Sequence, residues 1–219
     1  MSIPSFMLPT VPLAGRSSGP GFLSKAAGPP PVGGGRARSL NRFVMQMQLH
    51  DNWCWAAVTA SIAQFYRAQS WTVQCVVAAA EKNTQCCDPV NVTACDRPAP
   101  LDTPLGRTGH FSQRVDSSEE FSTVVAEIDA QRAFACRIEW HQSSDAHFVA
   151  VAGYSVDDSG TEYLEIGDPL IPGTVHTTYA EFSSNYRQAG AWANSYFTLS
   201  SPLPAGGAPA GDALAPVAP

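Results

Sequence analysis

Residues 48–57 read Gln48-Leu49-His50-Asp51-Asn52-Trp53-Cys54-Trp55-Ala56-Ala57, and the rest of the chain is best read outward from them. From Trp53 to Ala68, Ala and larger apolar residues recur at helical spacing with neither Gly nor Pro, so a helix begins near Cys54. A thiol acts as a nucleophile when its thiolate is favoured, a base is in reach and donors await the oxyanion. The first turn of a helix favours a thiolate through the macrodipole and its unpaired N–H groups. Gln48 precedes Cys54 by six residues across a polar loop, a length that lets the chain fold back and aim an amide beside the thiol.

Downstream, His147 opens an apolar run, His147-Phe148-Val149-Ala150-Val151-Ala152-Gly153-Tyr154. Gly167-Asp168-Pro169 closes the next one. Asp157-Asp158-Ser159-Gly160 between the two runs carries hairpin chemistry. Adjacent strands joined there would set His147 beside Asp168. His141 is the one rival base, but no apolar strand follows it. His50, His110 and His176 read as surface or packing residues, and Trp53, Trp55, Trp140 and Trp192 as core or cleft-wall aromatics.

The remaining pattern sorts into helices first and strands second. A short helix is expected over 72–82. Ser117 with Glu120 reads as a capping box opening a helix whose apolar face is Phe121, Val124, Val125 and Ile128. Phe134–Trp140, His147–Val156, Glu162–Ile166 and Ala193–Leu199 read as strands. This order specifies an α+β fold with antiparallel strands.

The segment Gln48 to Ala57 resembles the Gln-x5-Cys-Trp active-site stretch of papain-like cysteine peptidases. The downstream His with its apolar strand and Gly-Tyr, and then Asp168-Pro169 where papain uses Asn, extend that resemblance over about residues 44–200. The nearest likeness is to the bacterial branch, which includes plant-pathogen effector proteases and is related to peptidases that trim double-glycine leaders. Gln74-Cys75, Cys86-Cys87 and Cys95 also look like the effector-type members. The resemblance implies a papain-like fold, with a helical half carrying the nucleophile packed on an antiparallel sheet half. It implies Cys54 as nucleophile, His147 as the base that later protonates the leaving amine, Asp168 as the group orienting His147, and Gln48 with the Cys54 N–H as oxyanion donors. It implies no cofactor. Two departures stand out: Cys136 occupies a position where another residue is expected, and His147 precedes Asp168 by 21 residues, an interval longer than in papain.

Cys75, Cys86, Cys87 and Cys95 cluster within 21 residues, and their spacing fits zinc poorly. Two disulfides stapling a loop-rich segment fit better, and sequence alone does not choose among the three pairings. Disulfides place the mature protein in an oxidising compartment. The N-terminus lacks a basic start followed by an apolar stretch, so the expected route is a non-classical secretion machine, with a cytoplasmic location as the alternative.

Composition supplies the outer boundaries. Residues 1–40 hold 7 Pro and 7 Gly, and 201–219 repeat the bias with Ala. Both read as flexible tails, giving a tail over 1–41, a peptidase domain over 42–200 and a tail over 201–219. Val11-Pro12-Leu13-Ala14-Gly15 and Gly33–Gly35 are candidate self-processing sites. The chain carries net charge −6, while residues 1–41 hold four cations and no acid, so the acids concentrate in the body. An acidic body excludes a nucleic-acid partner bound through phosphate charge. No apolar run reaches the ~20 residues of a membrane helix. The expected activity is a cysteine endopeptidase acting on protein substrates as a bacterial effector or toxin, partnered by a secretion machine or an inhibitory immunity protein. The alternatives are a thiol-dependent deamidase or acyl transferase, and a catalytically inactive, disulfide-stapled binding module.

Overall fold

The computed structural model describes residues 35–200. The first strand, β1 (Ala37–Ser39), leads to helix α1 (Cys54–Phe65), then α2 (Gln74–Lys82), α3 (Val92–Cys95) and α4 (Asp102–Arg107). Strand β2 (Phe111–Val115) and helix α5 (Phe121–Asp129) follow. After them come β3 (Phe134–Trp140), β4 (Ala146–Val156), β5 (Glu162–Gly167), β6 (Thr174–Thr178), α6 (Tyr179–Asn185) and β7 (Gly190–Thr198). The strands form one antiparallel sheet of order β2-β7-β3-β4-β5-β6. Strand β4 is long enough to pair with β3 along Ala146–Val151 and with β1 along Gly153–Ser155. The molecule is mixed helix and antiparallel sheet, as the order of helical and strand-like segments predicts. Among the described residues, no helix is long and apolar enough to cross a membrane.

Helix α1 is buried from Cys54 to Ala63. Its apolar residues pack on the sheet while its hydroxyls bond backward, Thr59 Oγ1 to Trp55 O at 2.8 Å and Ser61 Oγ to Ala57 O at 2.7 Å, so burial leaves no orphaned donor there. The helix stops where Arg67 takes φ 62, a left-handed conformation that ends the ladder. The 157–160 turn closes as expected: Asp157 N bonds Thr161 O at 3.0 Å, and Gly160 takes φ 83.

Three expectations need correction. Residues 35–41, grouped with the N-terminal tail on composition, belong to the folded body: Ala37–Ser39 pair with β4, and Leu40 is buried against the core. Backbone pairing does not require apolar side chains, so composition misses this strand. Residues 1–34 and 201–219, with the candidate processing site at Val11–Gly15 and most of the Gly33–Gly35 run, lie outside the described residues. The capping box is absent. Helix α5 starts after Glu120, whose side chain makes no capping bond, because Ser117 is instead tied to β7 through its carbonyl, which accepts from Ser195 Oγ at 2.7 Å. The last strand also begins earlier than Ala193, at Gly190.

Candidate active site

The cleft that holds Cys54 and His147 lies between the start of α1 and the sheet, with a volume of about 800 Å³. Helix α1 delivers Cys54 as its first residue, 9% exposed and outside any disulfide. Strand β4 delivers His147, and the residue after β5 is Asp168. Antiparallel pairing places Ala150 opposite Gly167, so the β4–β5 ladder carries His147 and Asp168 toward the same end of the sheet. His147 Nε2 lies 2.7 Å from Asp168 Oδ1.

Asp168 is fully buried and makes four contacts. Oδ1 accepts from His147 and, at 2.9 Å, from Leu170 N. Oδ2 accepts from Tyr186 Oη at 2.9 Å and lies 3.6 Å from Arg187 Nη1. Burial works to raise the carboxyl's pKa, but the facing His147 and these hydrogen bonds outweigh it and leave the pKa below the ordinary value. An ionised carboxylate only accepts, so His147 carries its proton on Nε2 and leaves Nδ1 for the cleft. Burial opposes the charged form of His147 as well. The Asp168 carboxylate and its hydrogen bond prevail, with a contribution from the neighbouring Cys54, and the ring is pushed up to about 9. It is therefore an imidazolium at neutral pH. The indole of Trp140 stacks beside the ring, with centroids 5.9 Å apart.

Two bridges hold the loop before Cys54. Gln48 N donates to Pro169 O at 2.9 Å, linking the loop before Cys54 to the turn after Asp168. Close approach here requires Gly167, since a Cβ at that position would come within 2.9 Å of Met45 Cβ. On the other side, Asn52 N donates to Asp96 Oδ1 at 2.8 Å, Trp53 Nε1 to Cys95 O at 2.9 Å and Trp55 Nε1 to Arg97 O at 3.1 Å. The segment 95–97 is anchored in turn by disulfides, Cys86–Cys95 and Cys75–Cys87. It continues into Pro98, Ala99 and Pro100, which line one side of the cleft. The four clustered cysteines thus form two disulfides, and the structure supplies the pairing that the sequence left open.

Gln48 lines the cleft but does not present a free amide to it. Its Nε2 donates to His50 O at 2.9 Å and to Asp51 O at 2.8 Å, while Oε1 is buried without a partner. The expectation that Gln48 aims donors at the oxyanion is corrected to that extent: both amide hydrogens are taken up by carbonyls of its own loop. The N–H of Cys54 sits in the first turn of α1, where helix donors have no intrahelical acceptor.

Other candidates fall elsewhere. His141 is exposed beyond β3 and does not line the cleft. His110 is buried and stacked on Tyr66 at 4.4 Å, and His50 packs edge-on against Trp53. Cys136 is unpaired but fully buried in β3, and burial pushes its thiol well above the ordinary value. Sequence reasoning missed Tyr186 and Arg187. They stand 18 and 19 residues beyond Asp168 in a segment with no motif, and only the fold brings them to Oδ2.

A family model described as the Peptidase_C39 like family matches residues 40–195, which takes in Cys54, His147, Asp168, both disulfides and strands β2 to β6. No curated protein matches the chain.

Proposed function

From the premise that this chain belongs to the Peptidase_C39-like family of cysteine peptidases, we propose that it is a papain-like cysteine endopeptidase acting through Cys54, His147 and Asp168. The observation that carries this reading is His147, set in one cleft with Cys54 and bonded at 2.7 Å to a buried carboxylate.

The chemistry follows from that arrangement. Cys54 Sγ attacks the scissile carbonyl with its proton passed to His147, forming a carbon–sulfur bond as the π electrons move onto oxygen. The Cys54 N–H stabilises the oxyanion. Collapse of the intermediate breaks the peptide C–N bond, and the His147 imidazolium gives its proton to the departing amine. Neutral His147 then takes a proton from water, which attacks the thioester and releases the acid. Asp168 stays ionised and holds the ring throughout.

The same thiol chemistry serves a deamidase or acyl transferase. The peptidase family match favours hydrolysis of protein substrates. Two disulfides support a working location that is oxidising, in keeping with a secreted or translocated effector or toxin. In that role a secretion machine and an inhibitory immunity protein are its expected partners. An inactive binding module would have no use for Cys54 and His147 sharing a cleft with a buried Asp168 bonded to His147.

The test is covalent labelling with an epoxide or iodoacetamide probe at neutral pH. Rapid modification at Cys54, abolished in Cys54→Ala and slowed in His147→Ala, is the expected result. A Cys54 that reacts no faster than free cysteine in the folded protein would overturn the assignment.

A further inference from the structure

The side of Asp168 remote from His147 is occupied by the turn that joins α6 to β7. Tyr186 Oη donates to Oδ2 at 2.9 Å, and the Arg187 guanidinium stands 3.6 Å from the same oxygen. Both residues sit in a tight turn. The N–H groups of Ala189 and Gly190 each lie 3.1 Å from Tyr186 O, and Arg187 and Gln188 take φ 54 and 59 in succession. Two adjacent left-handed residues suit a turn made of Asn and Gly, and here neither is present. Tyr186 is 1% exposed, and the Arg187 side chain is 23% exposed. Burial and the adjacent carboxylate push the Tyr186 phenol far up, so it stays a donor across the range in which proteins fold.

A fully buried carboxylate paired only with imidazole would leave Oδ2 without a partner, which is costly in the interior. The Tyr186–Arg187 turn removes that defect and also acts on the charge. A donor and a cation on Oδ2 draw carboxylate charge away from Oδ1, so Asp168 holds the imidazolium proton less tightly than a bare carboxylate would. Among the described residues, the titratable groups contributing to this cluster are Cys54 from α1, Cys136 from β3, and Tyr186 and Arg187 from the turn. Glu139 and Asp145 line the same cleft.

We propose that Tyr186 and Arg187 are positioning residues of the Cys54–His147–Asp168 site: they fix the orientation of Asp168 and moderate its hold on the His147 proton. This rests on the functional reading above. Neither residue lines the cleft, so neither is assigned contact with substrate.

The test titrates the His147 ring by NMR in oxidised, full-length protein and needs no substrate. Tyr186→Phe keeps shape and burial and deletes one hydrogen bond. It should raise the His147 pKa by roughly 0.5–1, the size of one net hydrogen bond. Arg187→Gln should shift it in the same direction, and Arg187→Lys should restore the wild-type value. Asp168→Asn should shift it the opposite way. A purely structural role for the turn lowers the melting temperature and leaves the ring's titration where it was. An unmoved His147 pKa in folded Tyr186→Phe and Arg187→Gln would overturn the proposal. Failure of the functional reading is separate: it appears as a Cys54 no more reactive than free cysteine in wild type, whatever the turn variants do.

Discussion

His147 donates from Nε2 to Asp168 Oδ1 across 2.7 Å, between groups that are both almost wholly shielded from water. The bond fixes the ring's tautomer and favours its charged form, so the two residues should respond to substitution as a unit. Asp168→Asn retains an acceptor without the charge. It should keep measurable activity, with a lower His147 pKa and the alkaline limb of the kcat/KM profile moved to lower pH. Asp168→Ala removes the bond too and should lose more, roughly 10- to 150-fold, as for a hydrogen bond to a charged group of about 1.5–3 kcal/mol. Rate profiles for both variants against pH decide this. Wild-type behaviour in Asp168→Ala would make Asp168 a turn residue.

The wild-type alkaline limb should fall at about pH 9, where His147 loses its proton. The same group links pH to stability. Its folded pKa lies above the ordinary 6.5, so its contribution is fully present below pH 6.5 and is lost as pH rises through about 9. Asp168 is shifted the other way, and its contribution disappears as pH falls below the ordinary carboxylate range. Thermal melts of wild type and His147→Gln across pH 6 to 10 test the first statement: the wild-type decline should be absent from the variant.

The disulfides should matter to the site as well as to the fold. Cys95 O receives Trp53 Nε1, and the next residue, Asp96, holds Asn52 N, so the Cys86–Cys95 bond anchors the loop that leads to Cys54. Replacing Cys86 and Cys95 together by Ala should cost about 2–5 kcal/mol of stability. It should also slow Cys54 alkylation in protein that is still folded. Denaturant titration and labelling rates on the same samples measure both. Unchanged labelling would confine that disulfide to a stabilising role.

Alkylation without reduction should modify Cys54 alone. Cys136 is the other unpaired thiol, but it is fully buried and its thiolate is disfavoured. Peptide mapping by mass spectrometry checks this, and label on Cys75, Cys86, Cys87 or Cys95 would contradict the pairing.

Some of this architecture can be read directly from the chain because its signal is local. Phe134–Trp140 is continuous and β-rich, and the helix at Cys54 is marked by an Ala-rich period free of Gly and Pro. Strand β6, Thr174–Thr178, is polar and lies mostly outside the core, so no apolar alternation announces it. Strand β1 is hidden in a Gly- and Pro-rich neighbourhood because its stability comes from backbone pairing with β4. Cys54, His147 and Asp168 stand out by residue type and context. Tyr186 and Arg187 do not, because their role depends on a turn whose placement only tertiary structure determines. The rotation of the Gln48 amide is set by two carbonyls of its own loop, a detail beyond any spacing argument.

Hydrolysis of protein substrates by Cys54 is tested by a mass-spectrometric count of new protein N-termini in a complex protein mixture. The mixture is incubated with oxidised wild type and, in parallel, with Cys54→Ala of equal thermal stability. Wild type should generate a reproducible set of cleavage sites that is absent with Cys54→Ala. Identical sets of N-termini from the two proteins would contradict it.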